Sequence, residues 1–163
     1  MRRGALAGAA LALLAAGPAL AEVRVRYVEP ERFTDAQNRT TSGMTLRVTL
    51  AEMTRAFEEF GARTLPPGDA LDVTVTDIDL AGFERPGFSG PDGVRVVSDV
   101  SPPRIRLSYV LRRGRQRLAA GEETLTDINF MLTANARFSS GPLYYERALL
   151  RDWFTRRFGP ARR

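Results

Sequence analysis

The sequence predicts an α+β fold, an antiparallel-rich sheet of about four to five strands with two main helices packed on one face. Three observations carry this. "EVRVRYV" (22–28) and "RIRLSYVL" (104–111) alternate apolar and polar residues with the period of half-buried strands. Two other stretches place large apolar residues three and four positions apart, as one face of a helix does. The strand patterns also come in a run, with few helices between them, which favours antiparallel pairing.

Each element can be justified in turn. In the first strand Val23, Val25 and Tyr27 alternate with Arg24 and Arg26, and Pro30 ends it. "TDAQNRTTSG" (34–43) is polar and turn-rich, a loop. Leu46, Leu50, Met53, Phe57 and Phe60 then form one helical face. Thr49 followed by Glu52 fits a capping box, so the helix begins at Thr45 or at Thr49; Gly61 and "LPPGD" (65–69) close it.

"LDVTVTDIDLAG" (71–82) is the second strand, and the Gly/Pro-rich "FERPGFSGPDG" (83–93) a long loop. "VRVVSDV" (94–100) reads as a short strand stopped by Pro102 and Pro103. A hairpin follows, turning at Gly114, with Ile105, Leu107, Tyr109 and Leu111 on one face and Arg104, Arg106, Ser108 and Arg112 on the other. "TANARFSSGP" (133–142) is again loop. The last helix gathers Leu143, Leu150, Phe154 and Phe158, with Leu149 and Trp153 beside them. Asp152 and Arg156 are spaced for a surface pair, and Gly159-Pro160 is the stop.

The N-terminus reads as an export leader over residues 1–21. Arg2 and Arg3 precede the apolar "ALAGAALALLAAG" (5–17), Pro18 breaks it, and Ala19 and Ala21 are the small residues of a cleavage site. The run is shorter than the roughly 20 residues of a permanent span, so no transmembrane segment is expected in the mature chain. Residues 22–163 are then a single α+β domain, expected in the periplasm.

Composition excludes much chemistry. The 24 basic residues are all arginine; the chain has no lysine, histidine or cysteine. Without Arg2 and Arg3 the balance is 22 arginines against 19 acids, a modest excess. Lack of cysteine rules out disulfides and the cysteine of a lipid anchor. Lack of histidine and cysteine removes the usual zinc, copper and haem ligand sets, Ser-His-Asp triads and Cys-His dyads. Lack of lysine removes Schiff-base catalysis and the Walker A loop. Carboxylate chemistry, hard oxygen-ligand cations and simple binding remain.

Four blocks, "VTVTDIDLAG", "PPRIRLSYVL", "GEETLTDINFM" and "LYYERALLRDWF", in this order resemble the bacterial family called domain of unknown function 3016. The resemblance spans nearly all of the mature chain. It implies an exported protein of a Gram-negative bacterium, and it brings no assigned activity and no catalytic residue to carry over.

The candidate sites come from three constellations. In "TVTDIDL" the apolar residues change parity between Val75 and Ile78, the mark of a β-bulge, which puts Asp77 and Asp79 toward solvent or onto backbone N–H groups of a neighbouring loop. "LTDINF" (125–130) breaks phase in the same way at Asp127, suggesting neighbouring strands that bend together. A sharper reading gathers Asp77, Asp79 and Asp127 as oxygen ligands for a divalent cation, or as the carboxylates of a hydrolase. Second, Arg104, Arg106, Arg112 and Arg115 crowd the hairpin as candidate anion-binding residues for an anionic lipid or glycan, unless Glu122 and Glu123 pair with them across the sheet. Export argues against nucleic acid. Third, the aromatic residues of the last helix read as core packing, with Trp153 buried, over a membrane-surface alternative. The expectation is a non-catalytic binding or accessory protein of the cell envelope with no cofactor. The alternative is a cation-dependent one using the acidic strand ends.

Overall fold

The computed structural model describes residues 20–37, 45–84, 95–132 and 142–160. Strand β1 (Glu22–Tyr27) is followed by a short 3-10 turn (Pro30–Arg32) and helix α1 (Leu46–Thr64). Then come β2 (Asp69–Asp79), β3 (Phe83–Glu84), β4 (Arg95–Val96), β5 (Arg104–Arg113), β6 (Gln116–Thr126) and α2 (Tyr144–Phe158). The main sheet has four strands in the order β1-β2-β5-β6. β1 and β2 are parallel, joined through α1, while β2–β5 and β5–β6 are antiparallel. The fold is therefore α+β with a mostly antiparallel sheet, as the alternation predicts.

Both helices cover the same face. Leu71, Val73 and Val75 of β2 and Leu107, Tyr109 and Leu111 of β5 are buried with Met53, Phe57 and Phe60 of α1 and Leu150, Trp153 and Phe154 of α2. The helices meet edge-on through Phe57 and Phe154, whose ring centroids lie 6.3 Å apart. Trp153 is 2 % exposed, a core residue as expected.

Of the two starts open to α1, the chain takes the earlier one. The Thr45 hydroxyl accepts the Val48 N–H at 3.3 Å, and Thr49 is buried one turn inside the helix, so it caps nothing. Tyr27 ties β1 to this helix. Its hydroxyl donates to the Leu50 carbonyl at 3.1 Å and lies 2.9 Å from the Thr54 hydroxyl, and burial pushes the phenol up to about 12.

The parity change in β2 is a bulge. The register with β5 shifts between Val75 and Asp77, after which Ile78 resumes the buried face and Asp77 and Asp79 take the outer one. The second phase break has a different cause. β6 ends at Thr126, and Asp127 begins a turn in which Phe130 N–H donates to the Asp127 carbonyl. β5 separates β2 from β6, so the two acidic segments are not neighbouring strands that bend together. The stretch expected as a strand over 94–100 narrows to Arg95–Val96, paired with Phe83–Glu84 in a two-stranded sheet. The expected Asp152–Arg156 pair gives way to the adjacent Arg151, 2.9 Å from Asp152. Most of the expected leader and of the loops at 83–93 and 133–142 lie outside the described residues.

Candidate functional site

The face of the sheet that neither helix covers carries charged and hydroxyl side chains. After the bulge, β2 sets Asp77 opposite Arg106 and Asp79 opposite Arg104 on this face, while Asp69 meets Arg113 at the other end of the strand, in phase with the buried Leu71 and Val73. Three aspartates of β2 engage arginines of β5. Asp79 takes Arg104 at 2.7 Å, the buried Asp69 takes Arg113 at 2.6 Å, and Asp72 takes Arg112. Cross-strand pairing thus neutralises arginines of the hairpin, but the acids come from β2. Glu123, expected to pair across the hairpin, faces the helices, where it accepts from Trp153 Nε1 at 3.1 Å and from Arg157.

Asp77 breaks this series. Its Oδ1 accepts the Thr34 N–H at 2.8 Å and its Oδ2 the Thr34 hydroxyl at 2.9 Å. Thr34 sits there because the next residue is stitched to the end of β2: Asp35 N–H donates to the Ile78 carbonyl at 3.0 Å and Leu80 N–H to the Asp35 carbonyl at 2.9 Å. With Asp77 drawn to that loop, the Arg106 guanidinium has no carboxylate partner among the described residues. It lies in an open depression of about 270 Å³ with Thr76, Ser108, Glu122 and Thr124. Arg115, in the hairpin turn beside Gly114, is exposed.

The acidic candidates separate. Asp77 holds Thr34, and Asp79 holds Arg104. Asp127 accepts the Asn129 N–H at 2.9 Å and lines a small crevice against α2 with Phe130, Tyr145 and Asp152. Among the described residues no group of three or more acids is arranged to hold a metal ion.

Three charged residues emerge that sequence reasoning did not single out. Asp35 makes a two-oxygen contact with Arg95 Nη2 at 2.9 Å each. Arg95 Nη1 in turn donates to the Gly82 carbonyl at 3.0 Å and the Ala81 carbonyl at 3.3 Å. Gly82 has a φ of 79°, and a Cβ there would run into the Val96 carbonyl, so the close β3–β4 approach requires glycine. Glu146, in the first turn of α2, is 3 % exposed and accepts the Ala81 N–H at 2.7 Å. Burial pushes its carboxyl above the ordinary value, against the pull of that N–H and of Arg95. In front of the Asp35–Arg95 pair lies a cleft of about 390 Å³, lined by Asp35, Asp79, Phe83, Val100 and Arg104. An acid in a helix's first turn is ordinary in a sequence. Nothing local marked Glu146 as buried.

No helix among the described residues is long and apolar enough to cross a membrane. The model of a family described as protein of unknown function (DUF3016) matches residues 21–156. No curated protein and no solved structure matches the chain.

Proposed function

The chain belongs to the DUF3016 family, and from that premise we propose that it is an exported, non-catalytic binding protein of the bacterial envelope that holds an anionic glycan on the open face of its sheet. One observation carries this reading: Arg106 stands without a carboxylate partner among the described residues while its neighbours Arg104 and Arg112 are paired. A guanidinium offers paired N–H donors to a carboxylate or phosphate. Around it the hydroxyls of Thr76, Ser108 and Thr124 and the carboxylate of Glu122 suit sugar hydroxyls. The lining favours a glycan over a lipid, because a membrane-bound face inserts apolar side chains. The strongly exposed Val100, Ile128 and Leu132 are not part of this depression. The leader and the absence of histidine, cysteine and lysine support export and the non-catalytic role.

The test is binding of the purified protein to polygalacturonate, to neutral dextran and to vesicles containing phosphatidylglycerol, at low and high salt. Polygalacturonate should bind, dextran should not, and Arg106→Ala should weaken binding about tenfold while Arg115→Ala does less. Equal affinity for dextran, or an unchanged Arg106→Ala, overturns the reading. Vesicle binding that depends on Arg106 transfers the site to lipid head groups.

A further inference from the structure

We propose that the outer edge of β6 and the adjoining side of α2 form a strand-addition groove for an extended, acidic polypeptide segment. The main sheet has two edges, and they differ. β1 is six residues long and alternates charged side chains, the usual protection of an edge against unwanted pairing. β6 runs for eleven residues, Gln116–Thr126, with Ala119, Ala120 and Gly121 at its centre. Among the described residues none of its backbone groups bonds outside the pairing with β5. In a strand paired on one side only, alternate N–H and C=O groups point outward and offer a template to another chain.

Beside this edge lies a trough of about 270 Å³. One wall is four consecutive residues of β6, Glu123 to Thr126, and the other is Trp153, Arg156 and Arg157 of α2. A bare edge flanked by a helix is the arrangement in which an added strand gains affinity from main-chain bonds and specificity from alternate side chains.

Charge selects the occupant. Glu123 is already engaged, by the Trp153 indole on one oxygen and by Arg157 on the other. Arg156 is exposed, and Asp152, its expected partner, is held by Arg151. The unspent charge of the groove is therefore positive. A second copy of this chain fits less well, because pairing β6 with β6 about a two-fold axis brings two arginine-bearing α2 helices side by side.

The experiment uses Trp153, the only tryptophan in the chain, as a reporter inside the groove wall. The purified protein is titrated with a soluble peptide alternating glutamate and valine over roughly six residues, with its lysine counterpart, and with a version N-methylated at alternate amides. Sedimentation gives the oligomeric state throughout. The acidic peptide should shift Trp153 emission saturably. N-methylation should abolish the shift, and Arg156→Glu, a surface change, should weaken the acidic peptide about tenfold while admitting the lysine peptide. Equal binding of the N-methylated peptide overturns strand addition. Equal binding of the lysine peptide to the parent protein overturns the charge assignment, as does an unchanged affinity in Arg156→Glu. A dimer that the peptide dissociates gives the edge to a second copy, and no binding at millimolar peptide rejects the groove.

Discussion

Asp77 is a carboxylate whose two oxygens are both engaged by Thr34, and it holds the loop before α1 against the end of β2. Removing it leaves two donors to find water. Asp77→Ala should cost about 1 kcal/mol in urea unfolding, and Asp77→Asn, which keeps one acceptor, should cost less. Calcium should shift neither midpoint in thermal melts; stabilisation of the parent protein alone would instead assign a cation to this strand end. Glu146 contributes a loss of stability as pH rises, opposite in sign to the contribution of Glu59, whose carboxyl Arg147 holds below its ordinary value. Burial raises the folded pKa of Glu146 above the ordinary 4.5, so between those values the folded state holds a proton that the unfolded state has lost. That contribution is fully present below 4.5 and disappears as pH rises through the folded value. Glu146→Gln keeps an acceptor for Ala81 N–H, so its stability should lack this decline and exceed that of the parent protein at neutral pH. Glu146→Leu strands the N–H and should cost about 1–3 kcal/mol at low pH. Denaturant melts between pH 4 and 8 separate these outcomes.

Among the elements, α1 shows packing overriding propensity. Gly61 lies within a helix, where alanine is ordinarily worth about 1 kcal/mol more than glycine. A Cβ there would collide with the Val23 side chain of β1, so the glycine is what lets helix and strand approach. Gly61→Ala should therefore destabilise, by about 1–3 kcal/mol, and Val23→Ala in the same chain should recover part of the loss. Equilibrium unfolding of the two single variants and the double variant measures this. The glycine was legible in the sequence as a helix stop. Its actual role, within the last turn and against a strand 38 positions earlier, was not. The capping choice is similar: both Thr45 and Thr49 suit an N-cap, and burial of Thr49 in the core decides for Thr45.

For the whole molecule, Trp153 is the natural reporter. Its ring lies 6.2 Å from Phe57 of α1, 5.7 Å from Tyr109 of β5 and 5.2 Å from Phe158 of α2. Loss of either helix disturbs it, so its fluorescence and the far-UV circular dichroism should report one coincident unfolding transition. Separate midpoints would show that a helix leaves the sheet before the core melts. At this scale the division between sequence and structure is plain. The sequence by itself determined the strands of the main sheet, the two helices and their buried faces, the bulge before Asp77, and the chemistries closed to a chain without histidine, cysteine or lysine, but it read Phe83–Glu84, which pairs with Arg95–Val96, as loop. Those features are local: side-chain direction follows from a period of two or 3.6 residues, and composition needs no geometry at all. Only the tertiary structure decided that, among the described residues, Arg104 finds a carboxylate and Arg106 does not, that Glu146 is buried against Ala81, and that the outer edge of β6 has no strand beside it. The contacts of Arg104 with Asp79, of Thr34 with Asp77 (which leaves Arg106 without that acid) and of Ala81 with Glu146 join residues 25, 43 and 65 positions apart. Strand order, register and helix docking bring such residues together, and no short-range pattern encodes which charge then finds its counterpart first.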